Sequence, residues 1–379
     1  MPETKVTTVV SENRDRDQTL VVVFLRGGAD GLNLVAPVGD DDYFGARPTI
    51  GISSRSAVML DDFFGLNPLM VDLAPLYKEG IMSVVHCVGS EDQTRSHFEA
   101  QDMMDHGGTV AGGWLGRYLL ATQPADGQRS PLSAVAIGSR LPENLRGAPS
   151  AAAMRSIKDF SLGENTDKVR DLLGQLYAAS PTETLRTSGR SSVAVLKRIA
   201  ELTSAQYAAS NGASYEDDEF SSGMREIAQL IKGRVGLEAA AIDLNGWDSH
   251  LTQPAVMDPE IRRLNAGLSA FCKDLGKAME RTTVVVMTEF GRRVRENSAL
   301  GTDHGRGSVM FVLGGGHRGG TIHAQWPGLN AESLVGPGDL PVLTNYRNVL
   351  TPLLKKISPD VDLSAVFPEF ALDPLPLFG

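Results

Sequence analysis

Carboxylates and imidazoles gather in three short stretches in the last third of this 379-residue chain, each beside a strand-like apolar run. Trp247-Asp248-Ser249-His250 follows the run 237–244, and Thr288-Glu289-Phe290-Gly291-Arg292-Arg293 follows 283–287. Thr302-Asp303-His304-Gly305-Arg306-Gly307 precedes the run 308–313. Open α/β sheets bind ligands outside the carboxyl ends of their strands. The three stretches are therefore expected to meet at one sheet edge as a metal or acid/base site.

Asp248 and His250 are two residues apart, so on extended backbone both side chains point the same way. They suit one divalent ion or an oriented acid/base pair; a hydrogen-bonded turn with Asp248 as a cap is the plainer alternative. Glu289 ends a buried valine-rich run, where a charge is costly unless paired. Its partner is either Arg292 or Arg293 in a salt bridge, or a metal ion with the arginines holding an anion. Asp303 and His304 offer adjacent ligands between glycines, as a surface turn also would.

Ser96 and His97 fall in the first turn of an expected helix, where free N–H groups favour an anion or an ionised nucleophile. Ser96 serves equally as an N-cap. Asp30, just past the first strand, is placed as a ligand carboxylate or as the head of an Asx turn. Arg26, Arg292, Arg293, Arg306 and Arg318 lie in loops beside these strands, which suggests recognition of phosphate, sulfate or carboxylate. His86, inside an apolar strand, reads as a satisfied core histidine, and Asp92, Arg95 and Asp102 as supporting residues.

The elements that must position these groups alternate. Residues 19–25 and 81–88 are β-rich apolar runs, as expected of strands buried on both faces. Helices are expected over 69–79, closed by Gly80, over 94–104 and over Trp114–Ala121, followed by a strand at Ala134–Ile137. Asp258 and Pro259 read as the cap and first position of a helix over 259–279, with Ile261, Leu264, Leu268, Phe271 and Leu275 on its packed stripe. Tyr346–Ile357 reads as the last crossover helix. The expected fold class is α/β, a mostly parallel central sheet sandwiched by helices. It forms a single domain over 1–379, with a helical insertion or cap at 150–234.

Composition removes several alternatives. A net charge of -10 argues against broad nucleic-acid binding. No apolar stretch approaches the roughly 20 residues that span a bilayer. The polar start, Met1 to Gln18, lacks a signal-peptide core, so a cytoplasmic location is expected. Cys87 and Cys272 have no metal-ligand spacing and read as reduced core thiols. GxGxxG, P-loop and Gly-x-Ser-x-Gly motifs are all absent.

Taken in order, Phe24-Leu25-Arg26-Gly27-Gly28-Ala29-Asp30-Gly31-Leu32-Asn33, Arg95-Ser96-His97-Phe98, Gly246-Trp247-Asp248-Ser249-His250, Glu289-Phe290-Gly291-Arg292 and Asp303-His304-Gly305 resemble the bacterial family catalogued as domain of unknown function 1501. That family is similar to the alkaline-phosphatase and sulfatase superfamily, which implies a large sheet between helices and a nucleophile at a helix start beside one or two divalent ions. By this resemblance Asp30, Asp248, His250, Glu289, Asp303 and His304 would hold metal. The resemblance makes Ser96 the nucleophile; in the mechanism expected from the residues, His97 or His304 is the acid/base, Arg292 helps neutralise the transferring group, and Arg26, Arg95, Arg292 and Arg306 bind the anionic substrate. Glu289-Phe290 stands where the superfamily usually has Asp-His, so one ion, or a harder ion favouring oxygen ligands, fits this chain. The expected function is a metal-assisted hydrolase or transferase acting on a phosphate or sulfate ester, whose partner is an anionic small-molecule ester or acceptor. The alternative is a non-catalytic protein that binds an anionic ligand on the same fold.

Overall fold

Among the described residues, nine strands form the main sheet: β1 Thr19–Arg26, β2 Met82–Gly89, β3 Ala134–Ile137, β4 Ala152–Met154, β5 Ala239–Asn245, β6 Thr282–Thr288, β7 Ser308–Gly314, β8 Ile322–His323 and β9 Thr344–Asn345. The computed structural model describes residues 18–125, 129–160, 166–204 and 206–378. Residues 1–17, which bear on the expected location, lie outside the described residues. The strand order is β8-β2-β7-β6-β1-β5-β3-β4, with β9 also on β2. All neighbours are parallel except β7, which runs against both β6 and β2.

β1 alternates between two cores because successive side chains leave opposite faces. Val21, Val23 and Leu25 join one core, and Leu20, Val22 and Phe24 the other. The first core packs under helices α5 (Glu219–Lys232) and α6 (Gln253–Leu275). The second packs under α1 (His97–His106), α2 (Trp114–Ala121) and α7 (Tyr346–Ile357). A sheet covered on both faces explains why the strands read as unbroken apolar runs. The mostly parallel α/β architecture is thus the one expected.

Three details differ from expectation. Helix α6 begins at Gln253 rather than at Pro259, because Pro254 fills its first turn and Pro259 is carried inside it. The segment 69–79 divides into a 3₁₀ helix, Pro68–Leu73, and a short α-helix, Ala74–Lys78, that begins at a proline-containing turn. Residues 150–234 supply β4 and α5 to the main body as well as a hairpin of α3 (Thr166–Ala178) and α4 (Glu183–Thr203). Arg198 of α4 donates to the Gly233 carbonyl, and Gln229 donates to that of Leu202. These bonds seat the end of α4 at the end of α5, where the chain turns into the start of β5. Among the described residues, no helix is long and apolar enough to cross a membrane.

Register aligns the strand ends that matter. Arg26 of β1 pairs with Asn245 of β5, and Leu25 pairs with Thr288 of β6. The loops beginning at Gly27, Gly246 and Glu289 therefore leave the sheet side by side. Since β7 is antiparallel, the loop entering it, with Asp303 and His304, arrives at that same edge.

Candidate metal centre

His97, Asp248 and His304 converge at this edge, each offering a ligand atom within 4.8 Å of the others. His97 comes from the first turn of α1, Asp248 from the loop after β5, and His304 from the loop entering β7. The loops close tightly because glycine lines them. A Cβ on Gly27 would lie 2.7 Å from the backbone nitrogen of Asp248, and one on Gly291 would lie 1.9 Å from the Gly307 carbonyl oxygen.

Hydrogen bonds fix which atom each ring presents. His97 Nδ1 lies 2.8 Å from Glu289 Oε1, a carboxylate oxygen that only accepts, so Nδ1 carries the hydrogen. Its Nε2, 3.5 Å from Asp248 Oδ2, is buried and has no hydrogen-bond partner. His304 Nδ1 donates to the Arg95 carbonyl at 2.8 Å, which turns Nε2 toward Asp248 Oδ1 at 3.2 Å. His250 Nε2 stands 2.9 Å from His304 Nε2 and 3.2 Å from Asp248 Oδ1.

The electrostatics ask for a cation. Burial alone would push the Asp248 carboxyl up, but the Arg292 guanidinium, with His304 and His250, outweighs it and brings the group to about 2. Burial lowers His304, and the Arg292 charge adds to this against the bond to Arg95. Asp248 Oδ1 thus lies at hydrogen-bond distance from His304 Nε2, whose other ring nitrogen is committed to the Arg95 carbonyl. The hydrogen bond to Glu289 raises His97 against its burial. Two imidazoles and a carboxylate directed at one point, with an orphaned ring nitrogen among them, fit a divalent ion.

Glu289 does not join this trio. It is 1% exposed and takes bonds from the Gly27 backbone, Gln101, His97 and Thr288. Burial pushes its carboxyl up, yet His97, Gln101 and backbone N–H groups hold it below the usual range. It orients the His97 ring, the arrangement that carboxylates adopt behind metal-bound histidines. Asp303 sits at the margin, 3.5 Å from His250 Nδ1 and 3.2 Å from Arg293 Nη1.

Asp30 is not brought to the cluster. Fully buried, it caps the turn at Leu32, pairs with Arg47 through both oxygens and accepts from Gln253 at 2.6 Å. Gln253 Oε1 in turn accepts from Ser249 and Thr302, so Asp30 supports the cluster's loops from below. Arg47 and Gln253 were not singled out in the sequence, where neither stands in a polar cluster with the other ligands.

The arginines are mostly committed elsewhere. Arg292, 1% exposed, donates to the carbonyls of Gly27, Gly28, Trp247 and Thr302 and to Asp248. Arg26 pairs with Asp105 and Asp243, and Arg95 with Asp339. Each guanidinium is thus engaged by carboxylates of the chain itself, and Arg292 by a member of the cluster. Arg306 keeps a buried Nε without a partner. Ser96 is the N-cap of α1 but makes no side-chain capping bond. His86 is buried, bonded to the Val35 carbonyl and to the Cys87 backbone, as expected of a core histidine.

Among solved structures the chain is similar to alkaline-phosphatase and sulfatase-like folds. One is the zinc complex of the C-terminal periplasmic domain of EcEptC from Escherichia coli, at 10% identity over 78% of this chain and 72% of that chain, with a TM-score of 0.36. Another is the alkaline phosphatase of the Antarctic bacterium TAB5, at 11% over 80% and 94%, with a TM-score of 0.34. A third is the PsFucS1 sulfatase from Pseudoalteromonas, at 11% over 80% and 64%, with a TM-score of 0.34. No curated protein sequence matches the chain. The profile of one family matches residues 84–350, most of the sheet and every residue of the cluster, and the chain belongs to that family, described as protein of unknown function (DUF1501).

Proposed function

We propose that this protein is a metal-dependent hydrolase or transferase of phosphate or sulfate esters, with Ser96 as its nucleophile. The observation that carries this reading is the facing of Asp248, His304 and the unpartnered His97 Nε2 beside the start of α1. A divalent ion held by His97, Asp248 and His304 would supply charge neutralisation to the oxygens of the transferring group. Ser96 sits where the first-turn N–H groups of α1 favour negative charge, and its Oγ, having released its proton to solvent, attacks the phosphorus or sulfur. His97 and His304 are occupied as ligands in this scheme. The proton for the departing oxygen therefore comes from His250, whose side chain is 42% exposed against 26% and 19% for the other two. Water or an acceptor hydroxyl, its proton taken by the His250 imidazole that has just given one up, then displaces the group from Ser96, whose oxygen regains a proton from solvent.

The anion-binder alternative rested on the missing imidazole at Phe290 and on a surplus of arginines. His97 lies against the Phe290 ring, with centroids 5.0 Å apart, and supplies an imidazole there. Arg26, Arg95 and Arg292 are held in internal pairs. Both observations favour the enzyme. The test is elemental analysis of protein purified without chelator, joined to a screen of phosphate and sulfate esters. Stoichiometric divalent metal is expected, with turnover lost in Ser96→Ala and Asp248→Ala. Protein without metal, or full turnover in both variants, overturns the reading.

A further inference from the structure

Asp339 lies outside all the polar clusters, yet it is fully buried and one of its oxygens, Oδ2, accepts from Arg95 Nε at 2.9 Å and Nη2 at 2.5 Å. Arg95 is the residue before Ser96, and its φ of 57° puts a non-glycine side chain in the left-handed region. An L-residue stays there only when its surroundings hold it. The carbonyl of this same residue receives the His304 Nδ1 hydrogen at 2.8 Å. One residue thus presents the expected nucleophile on one side and sets the ring orientation of a cluster ligand on the other.

The loop bearing Asp339 is itself closed and anchored. Val335 and Asp339 exchange backbone bonds in both directions, and the Gly338 carbonyl accepts from Val294. Gly307 donates to the Leu340 carbonyl. Asp339 is therefore fixed relative to the Arg292–Arg293 segment and to the loop carrying His304. From this fixed point its carboxylate holds the Arg95 side chain.

We infer that Asp339 is a positioning residue: through Arg95 it holds the Ser96 loop against the cluster and keeps His304 in the orientation whose Nδ1 donates to the Arg95 carbonyl and whose Nε2 faces Asp248. The inference rests on the site reading above, but it concerns the imidazole as much as any reaction. Without the ion pair, Arg95 relaxes to negative φ, its carbonyl turns away, and His304 loses the acceptor that sets its tautomer.

The test uses the full chain with Asp339→Asn, Asp339→Glu and Arg95→Lys. Lys232→Met serves as a control that breaks the buried Lys232–Asp274 pair at the end of α5. Metal affinity is read by chelator competition with zinc, and the His304 tautomer by nitrogen-15 NMR of the metal-free protein. Asp339→Asn is expected to weaken zinc about tenfold, the low end for residues behind metal ligands, and to give a mixture of His304 tautomers. Asp339→Glu and Arg95→Lys should fall between it and the wild type, and Lys232→Met should lower the Tm with zinc affinity unchanged. A folded Asp339→Asn with wild-type affinity and tautomer overturns the inference. If Asp339→Asn does not fold, the same wild-type values in Arg95→Lys overturn it. If the wild type takes up no zinc, the metal reading fails alone, and the tautomer comparison still decides the role of Asp339.

Discussion

Glu289 Oε1 stands 2.8 Å from His97 Nδ1, and that bond decides which nitrogen of the ring faces Asp248 and His304. The carboxylate is itself fixed by the Gly27 backbone, Gln101 and Thr288, so the ring inherits its orientation from a buried group. Glutamine at this position keeps the shape but removes the charge and lets an amide face the ring. Glu289→Gln is expected to lower zinc affinity by about 10- to 100-fold while the protein stays folded, as read by chelator competition. Unchanged affinity would mean that the pair does not tune the ligand.

Asp30 separates support from ligation. Removing its charge leaves Arg47 buried and unpaired, which costs about 3–5 kcal/mol. Asp30→Asn should therefore lower the unfolding free energy by that order while the folded fraction keeps its full metal content. Denaturant unfolding and elemental analysis on the same preparation check both halves.

Arg292 makes a similar point about geometry. Lysine preserves the charge but lacks the planar fork that reaches the carbonyls of Gly27, Gly28, Trp247 and Thr302. Arg292→Lys is expected to destabilise by roughly 3 kcal/mol, since buried carbonyls lose their donors. A midpoint equal to the wild type would return Arg292 to the pool of free anion binders.

His86 gives the fold an acid limit. Burial pushes its imidazole down to about 4, against an ordinary value of 6.5. Between those values the unfolded chain binds a proton that the folded chain does not, so stability falls as pH falls through that window. The loss is on the order of 3 kcal/mol once pH lies below both values. His86→Gln should be less stable than the wild type near pH 7 and should lose much of that deficit near pH 4. Urea titrations at the two pH values check this; a constant difference between the proteins would rule the account out.

Much of the scaffold was legible because its strands are covered on both sides and so appear as unbroken apolar runs. Residues 19–25 and 81–88 became β1 and β2, and the stripe from Ile261 to Leu275 is buried in α6. The start of α6 was misplaced because Asp258-Pro259 mimics a helix entry that Pro254 already provides. At the site, spacing brought attention to Asp248, His250, Asp303 and His304, which do lie together. It put Asp30 among the ligands and gave no sign of the ion pair of Arg26, since a charged residue beside a strand end looks the same whether its partner is a ligand or a distant Arg47 or Asp105. Those partners come from 17 and 79 residues away in the chain, and no local pattern announces them. His97 was singled out as an acid/base beside Ser96; its placement among the ligands depends on α1 docking against Glu289.

The central place of β1 governs when the cluster can exist at all. Its neighbours on either side, β5 and β6, begin at Ala239 and Thr282, more than two hundred residues later in synthesis. Pairings so remote are slow to close. A nascent chain emerging from the ribosome thus carries its first histidines and carboxylates for a long interval without a pocket to join them. On the proposed metal reading, cation capture would be a late event in maturation, tied to completion of the sheet.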